Sequence, residues 1–215
     1  MAISTISSAC RTEVSASRLP TRRGHGLPAA LQARDAIIGL RMGVEENLRI
    51  SKTLEKLNRV VNHSALASKF ISLFYAELES AGTLVYCNAG HNPPLLYDGL
   101  AFRELARGGM ILGPNPTSQY ERGYETLAPD SVLLAYTDGI VEAVNGADEA
   151  FGMDRLRAVI RERAYGSARE LVDAMFAAVR GHVGGDTRDD DQTVVAVLRR
   201  GSRLDQQEDT RPKER

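Results

Sequence analysis

The stretch KFISLFYAELE, residues 69–79, decides what kind of fold this chain can adopt. Read as a strand, it has two alternating sets, Phe70-Ser72-Phe74-Ala76-Leu78 and Ile71-Leu73-Tyr75. These sets point to opposite faces, because successive side chains of an extended chain alternate. Both are largely apolar, so the strand needs cover on both sides and belongs in the middle of a sheet. The segments around it must then supply one layer above and one below.

Downstream, GTLVYCNAGH (82–91) and PPLLYDG (93–99) are predicted to form a hairpin or meander, with Asn88, Gly90 and Pro93-Pro94 supplying the turns. SQYERGYETL (118–127) and SVLLAYTDG (131–139) flank Pro129-Asp130, a turn signal that favours antiparallel neighbours over βαβ crossovers. TVVAVLRR (193–200) reads as a last strand. Helical periodicity brackets this block. LPAALQARDAIIGLRMG (27–43) has Pro28 in its first turn, and SKTLEKLNRVVNHS (51–64) puts Leu54, Leu57 and Val61 on one face. After the strands, GMDRLRAVIRER (152–163) repeats Leu156, Val159 and Ile160. SARELVDAMFAAVRG (167–181) opens with Ser167 and Glu170 at capping-box spacing. Helices, strands, helices and a final strand predict an α+β fold with helical layers over antiparallel sheets.

The 215 residues, 43% of them hydrophobic, are enough for one well-buried domain. A net charge of −1 gives no general attraction to nucleic acid or membranes. No apolar run reaches the roughly 20 residues of a membrane span. Cys10 and Cys87 stand far apart with no metal-type spacing, which suits a reducing, cytoplasmic setting. Residues 1–23, rich in Ser, Thr and Arg with Glu13 the sole acid, are expected to be disordered or a non-native start. Residues 200–215 mix both charge signs with little apolar content and are expected to form a disordered charged tail.

Two acidic features stand out against this frame. LLAYTDGIVEA (133–143) runs an apolar strand into Asp138-Gly139, which suits a simple turn or a functional carboxylate. TRDDDQTVVAVL (187–198) places Asp189, Asp190 and Asp191 just before the last strand. Such a run suits a solvated loop. Alternatively, acids at one strand's end and another's beginning converge at a sheet edge as hard oxygen ligands for Mg²⁺ or Mn²⁺.

The ordered blocks GHGLPAAL, NAGHNPPLLYDG, GGMILG, YTDGIVEAVN, FGMDRL and DDDQTVVAVL resemble the SpoIIE-like branch of the bacterial PPM-type, metal-dependent Ser/Thr protein phosphatases over residues 24–199. The resemblance implies a four-layer α-β-β-α sandwich with a two-metal centre at one edge. It implies hydrolysis of phosphoserine or phosphothreonine in a partner, of which a phosphorylated STAS-domain anti-anti-sigma protein in partner-switching signalling is the usual kind. Carried onto this chain, it makes Asp138 and Asp190 the metal ligands for Mn²⁺ or Mg²⁺, with Asp191 and Gly139 in support. His25, at a helix entrance, and His91, in a turn, are read as completing local hydrogen bonds.

One departure matters. Where the family's helix block reads D-x-x-G-H-G, with the Asp bridging both metals, this chain reads TRRGHG, with Thr21 in the Asp position and Arg22 and Arg23 beside it. The family's upstream strands find no counterpart in the first 23 residues either, so the domain is expected to lack its N-terminal strands. Loss of the bridging carboxylate predicts weak, Mn²⁺-preferring metal binding. It leaves a catalytically dead binding module or a truncated gene product as alternatives to a working phosphatase.

Overall fold

In the computed structural model, which describes residues 2–7, 11–16, 34, 36–43, 46, 48–63, 70–185 and 191–200, the 69–79 stretch supplies strand β3, Ser72–Leu78, flanked on both sides by other strands. Its sheet runs β1 (Ala2–Ser7), β2 (Arg11–Ala16), β3, β4 (Thr83–Ala89), β7 (Gly108–Gly109), with β8 (Gly123–Thr126) also paired to β4. A second sheet has the order β10 (Val194–Leu198), β9 (Val132–Tyr136), β5 (Leu95–Tyr97), β6 (Phe102–Glu104), all antiparallel. The helices are α1 (residues 36–43), α2 (Ile50–His63), the single turn α3 (Asp138–Val141), α4 (Gly152–Arg163) and α5 (Ala168–Val183).

Three apolar cores define four layers. Leu73 and Tyr75 of β3 join Ala36, Leu40, Leu54, Leu57 and Val61 of α1 and α2. The alternate residues Phe74 and Ala76 face the other way and meet Leu96 and Leu133 of the second sheet. On that sheet's far side, Leu95, Val132, Leu134 and Tyr136 pack against Leu156 and Ile160 of α4 and Leu171, Met175 and Val179 of α5. The strict period of two in β3 and β9 therefore builds the α-β-β-α sandwich, each strand giving one face to a helical layer and the other to the opposite sheet.

The capping-box expectation holds at α5, and the predicted helix start at Leu27 and Pro28 lies outside the described residues. The Ser167 side chain accepts the Glu170 amide while the Glu170 carboxylate takes the Ser167 amide, so the capping box of α5 is formed. These bonds, above all that from the Ser167 backbone, hold the Glu170 carboxyl below its ordinary pKa. Gly184 closes the helix at φ 76°, a left-handed cap that glycine takes without strain. No helix among the described residues is long and apolar enough to cross a membrane.

Three expectations are corrected. β4 and β5 are not a hairpin, because the chain leaves the first sheet after Ala89 and enters the second at Leu95. β8 and β9 likewise flank Pro129-Asp130 but lie in different sheets, with Asp130 at φ 62° in the turn. In a sandwich a turn can change layers as readily as reverse a ladder. The third concerns the start of the chain. Residues 2–7 and 11–16, expected to carry no strand, form a hairpin that extends the first sheet, with Ala2 opposite Ala16 and Arg11 opposite Glu77 of β3. Their Ile, Val and Thr residues favour extended backbone even without an apolar alternation. The rest of the predicted disordered start, and residues 201–215 of the predicted tail, lie outside the described residues.

Leu134 is fully buried on the face of β9 that meets α4 and α5. Leu134→Ala is expected to cost about 2–5 kcal/mol in urea unfolding, as lost burial and a residual cavity add. Leu100→Ala, at a position 94% exposed, should stay within about 0.5 kcal/mol of the parent.

Candidate functional site

Every residue of β9 is buried, so the first place along it where a charge can meet solvent is just past its end. There Asp138 opens the one-turn helix α3, its side chain half-buried. The carboxylate Oδ1 accepts the Gly139 amide at 3.0 Å, so Asp138 does shape the turn.

Thr137 fixes what lies beside it. Its hydroxyl donates to the Asp191 carbonyl oxygen at 2.9 Å and accepts the Thr193 amide at 2.9 Å, while its own amide donates to the Thr193 carbonyl at 3.1 Å. Thr137 is itself buried. These three bonds continue the β9–β10 ladder past its last pair, Val194 with Tyr136, and hold the acidic approach to β10 alongside the end of β9.

On the other flank, β5 pairs with β9 in the register Leu95–Leu134, Leu96–Leu133 and Tyr97–Val132. The segment leading into β5 therefore heads toward the same edge. It begins with the NAGH turn. Asn88 is buried, its Oδ1 accepting the His91 amide at 2.8 Å and its Nδ2 donating to the carbonyls of His91 at 3.0 Å and Leu105 at 3.2 Å. Gly90 takes φ 70°, and a Cβ there would come within 2.9 Å of Ile111, so neither the conformation nor the space admits a side chain. Gly108 lies against the Asn88 backbone in the same way. The loop carrying Ile111 is tied to α2, because Asn58 accepts the Gly113 amide at 2.7 Å and donates to the Asn115 carbonyl at 2.7 Å, and Asn62 donates to the Gly113 carbonyl at 2.6 Å.

His91 is only 6% exposed. Its Nδ1 lies 2.9 Å from the Asn92 carbonyl oxygen, and its Nε2 is buried without a hydrogen-bond partner among the described residues. Burial pushes the imidazole pKa below its ordinary value, while the Asn92 carbonyl and the Asp138 carboxylate pull it back up. Burial likewise raises the Cys87 thiol to about 12, so this cysteine is an inert core residue.

The structure thus brings together Asp138, Gly139 and the Asp191 backbone, with Asp191 itself exposed. Asp190, Asp189, Thr21, Arg22, Arg23 and His25 lie outside the described residues. Among the described residues, no three His, Cys, Asp or Glu side chains gather closely enough to hold a metal. The donor types at this edge nonetheless suit a divalent cation, a half-exposed carboxylate and a buried imidazole nitrogen with no partner among the described residues. Sequence reasoning passed over Thr137 and the Asn88 clamp. A Thr between a buried strand and Asp-Gly is the signal that could have found the first, because its hydroxyl can bond neighbouring backbone.

This fold is that of PPM-type (PP2C) phosphatase domains. The RsbU and RsbW domains of Rv1364c from Mycobacterium tuberculosis superpose with a TM-score of 0.73 at 23% identity, over 94% of this chain and 57% of that one. The SiaA-PP2C domain of Pseudomonas aeruginosa gives 0.74 at 20% identity, over 92% and 79%. The sequence narrows the class, since the family model for stage II sporulation protein E (SpoIIE) matches residues 23–200. The chain belongs to the SpoIIE family of PPM-type serine/threonine phosphatase domains. The phosphoserine phosphatase RsbU of Bacillus subtilis is 30% identical over 158 residues, 71% of this chain and 46% of RsbU. The chain spans less than half the length of the curated relatives it matches.

Thr137→Val keeps the shape of the side chain and removes both hydroxyl bonds, leaving a part-buried carbonyl and amide short of partners. It is expected to lower stability by about 1–3 kcal/mol in urea unfolding, with Thr137→Ser close to the parent.

Proposed function

We propose that this domain hydrolyses phosphoserine or phosphothreonine in a partner protein, a phosphorylated STAS-domain anti-anti-sigma protein, within partner-switching control of a sigma factor. The observation that carries this reading is the Thr137 clamp, which sets the carboxylate-bearing end of β9 against the acidic approach to β10. In this reading Asp138 and Asp190 hold Mn²⁺ or Mg²⁺ through carboxylate oxygens, and Asp191 and Gly139 support them. Bound cations of this kind acidify a water for in-line attack on phosphorus and offset charge on the phosphate oxygens. The protein's own part is to hold its carboxylates in place. Thr137 does so through backbone bonds to both sides of Gln192, and the Gly139 amide does so by fixing the Asp138 carboxylate.

A second reading rests on Thr21. Without a bridging carboxylate there, the domain serves as a phosphatase-like module that docks the partner and turns it over slowly or not at all. The loss of a shared metal ligand is expected to lower the rate by about 10³-fold or more, a few kcal/mol of transition-state stabilisation. The hairpin at residues 2–7 and 11–16 changes what repair requires. A poor rescue by Thr21→Asp alone would be expected if no strands preceded that position, and strands do precede it.

The test is Mn²⁺-dependent phosphate release from a phosphorylated STAS-domain protein. The parent chain should be slow, Thr21→Asp faster by about tenfold or more, and Asp138→Asn inactive in either background. Robust turnover by the unmodified chain that Asp138→Asn abolishes would remove the second reading. Substrate binding with no turnover by either the parent or Thr21→Asp would remove the first.

A further inference from the structure

The NAGH turn is built more firmly than a loop needs to be. Asn88 fixes the backbone on both sides of His91, Gly90 takes a left-handed conformation under Ile111, and Gly108 packs against Asn88. All of this orients one buried imidazole. A carbonyl oxygen can only accept, so the 2.9 Å contact with Asn92 places a hydrogen on Nδ1. In the neutral ring Nε2 then carries a bare lone pair. It is buried and has no partner among the described residues. A buried acceptor left unsatisfied is unfavourable and rare, and a rigid turn that creates one points to a group that comes to meet it.

The sheet shows where that group sits. Because Leu95 pairs with Leu134, the chain enters β5 from the edge where β9 ends, and there the Asp138 carboxylate acts electrostatically on the His91 ring. On the other side of β9, the β10 ladder and the Thr137 clamp bring in Asp191. His91 and the Asp191 backbone therefore approach the Asp138 end of β9 from its two sides.

We propose that His91 Nε2 is a nitrogen ligand to the divalent cation held at Asp138. This rests on the reading of Asp138 as a cation-binding residue. A mixed nitrogen and oxygen donor set disfavours Mg²⁺, which keeps oxygen ligands and most of its water, and favours Mn²⁺. The Nδ1–H bond to Asn92 is then the outer contact that fixes the tautomer of a ligating histidine.

The probe is Mn²⁺ itself, followed by calorimetry and by pulsed EPR of the loaded chain. The parent should show modulation from a directly bound imidazole nitrogen. His91→Asn keeps a side-chain amide that can reach the Asn92 carbonyl and removes the ligating nitrogen. It should abolish the signal and weaken Mn²⁺ about 10-fold or more, the least expected when even an outer partner of a metal is disturbed. Mg²⁺ affinity should hardly change. The chain contains four histidines, so a variant with His25, His63 and His182 all replaced by Gln must keep the nitrogen signal, a check independent of how His91→Asn folds. Mn²⁺ binding that Asp138→Asn removes, with no nitrogen modulation in the parent, overturns the inference and leaves the reading of Asp138 standing. No Asp138-dependent Mn²⁺ binding at saturating metal overturns both.

Discussion

A strand covered on both faces can carry charge only at its ends, and this constraint organises the molecule. β9 gives Leu133 to the core between the sheets and Val132, Leu134 and Tyr136 to the core under α4 and α5. A carboxylate anywhere within Val132–Tyr136 would be buried in apolar surroundings and would be driven to its neutral form. Past Tyr136 the restriction ends, and Thr137 and Asp138 follow at once. Asp191 likewise precedes Val194 at the start of the half-buried β10, and the polar NAGH turn begins as β4 runs out. Three segments far apart in sequence therefore deliver their polar groups to one edge.

The fold was legible wherever burial dictates the residue pattern. The double alternation of β3 showed a covered central strand, and the spacing of Leu54, Leu57 and Val61 showed a helix with one buried face, as the structure has it. Strand pairing was less legible. Asn88-Gly90, Pro93-Pro94 and Pro129-Asp130 each mark a change of direction, but turn chemistry does not say which of two parallel layers the next strand joins. The opening hairpin escaped for a different reason. AISTIS and RTEVSA lack apolar alternation, and their Ser, Thr and Arg content resembles that of a disordered leader, although Ile3, Ile6 and Val14 are good strand formers.

At the site, the sequence pointed to carboxylates because an acid ending an apolar strand is conspicuous. It passed over Thr137, whose local setting was readable but whose bond to the Asp191 carbonyl spans more than fifty residues of chain. His91 was half legible. Its Nδ1 does complete a local bond to Asn92, as a turn histidine should, but the fate of Nε2 depends on packing from Gly90, Ile111 and Asn88 that no local pattern reveals.

The packing around His91 also reaches into the outer helical layer. Ile111, which closes on Gly90, belongs to a loop whose Gly113 and Asn115 are bonded to Asn58 and Asn62 of α2. Asn58 is fully buried and its bond from the Gly113 amide is buried with it, so that bond cannot be exchanged for water without opening the core. The loop thus moves with α2 rather than with solvent. An imidazole at the edge of the second sheet is held by a turn from the first sheet, and that turn is backed by a loop fastened to a helix. Placing one nitrogen beside Asp138 in this way engages three of the four layers, which is why a module with a single strand-end carboxylate in plain view still needs the whole sandwich to position what surrounds it.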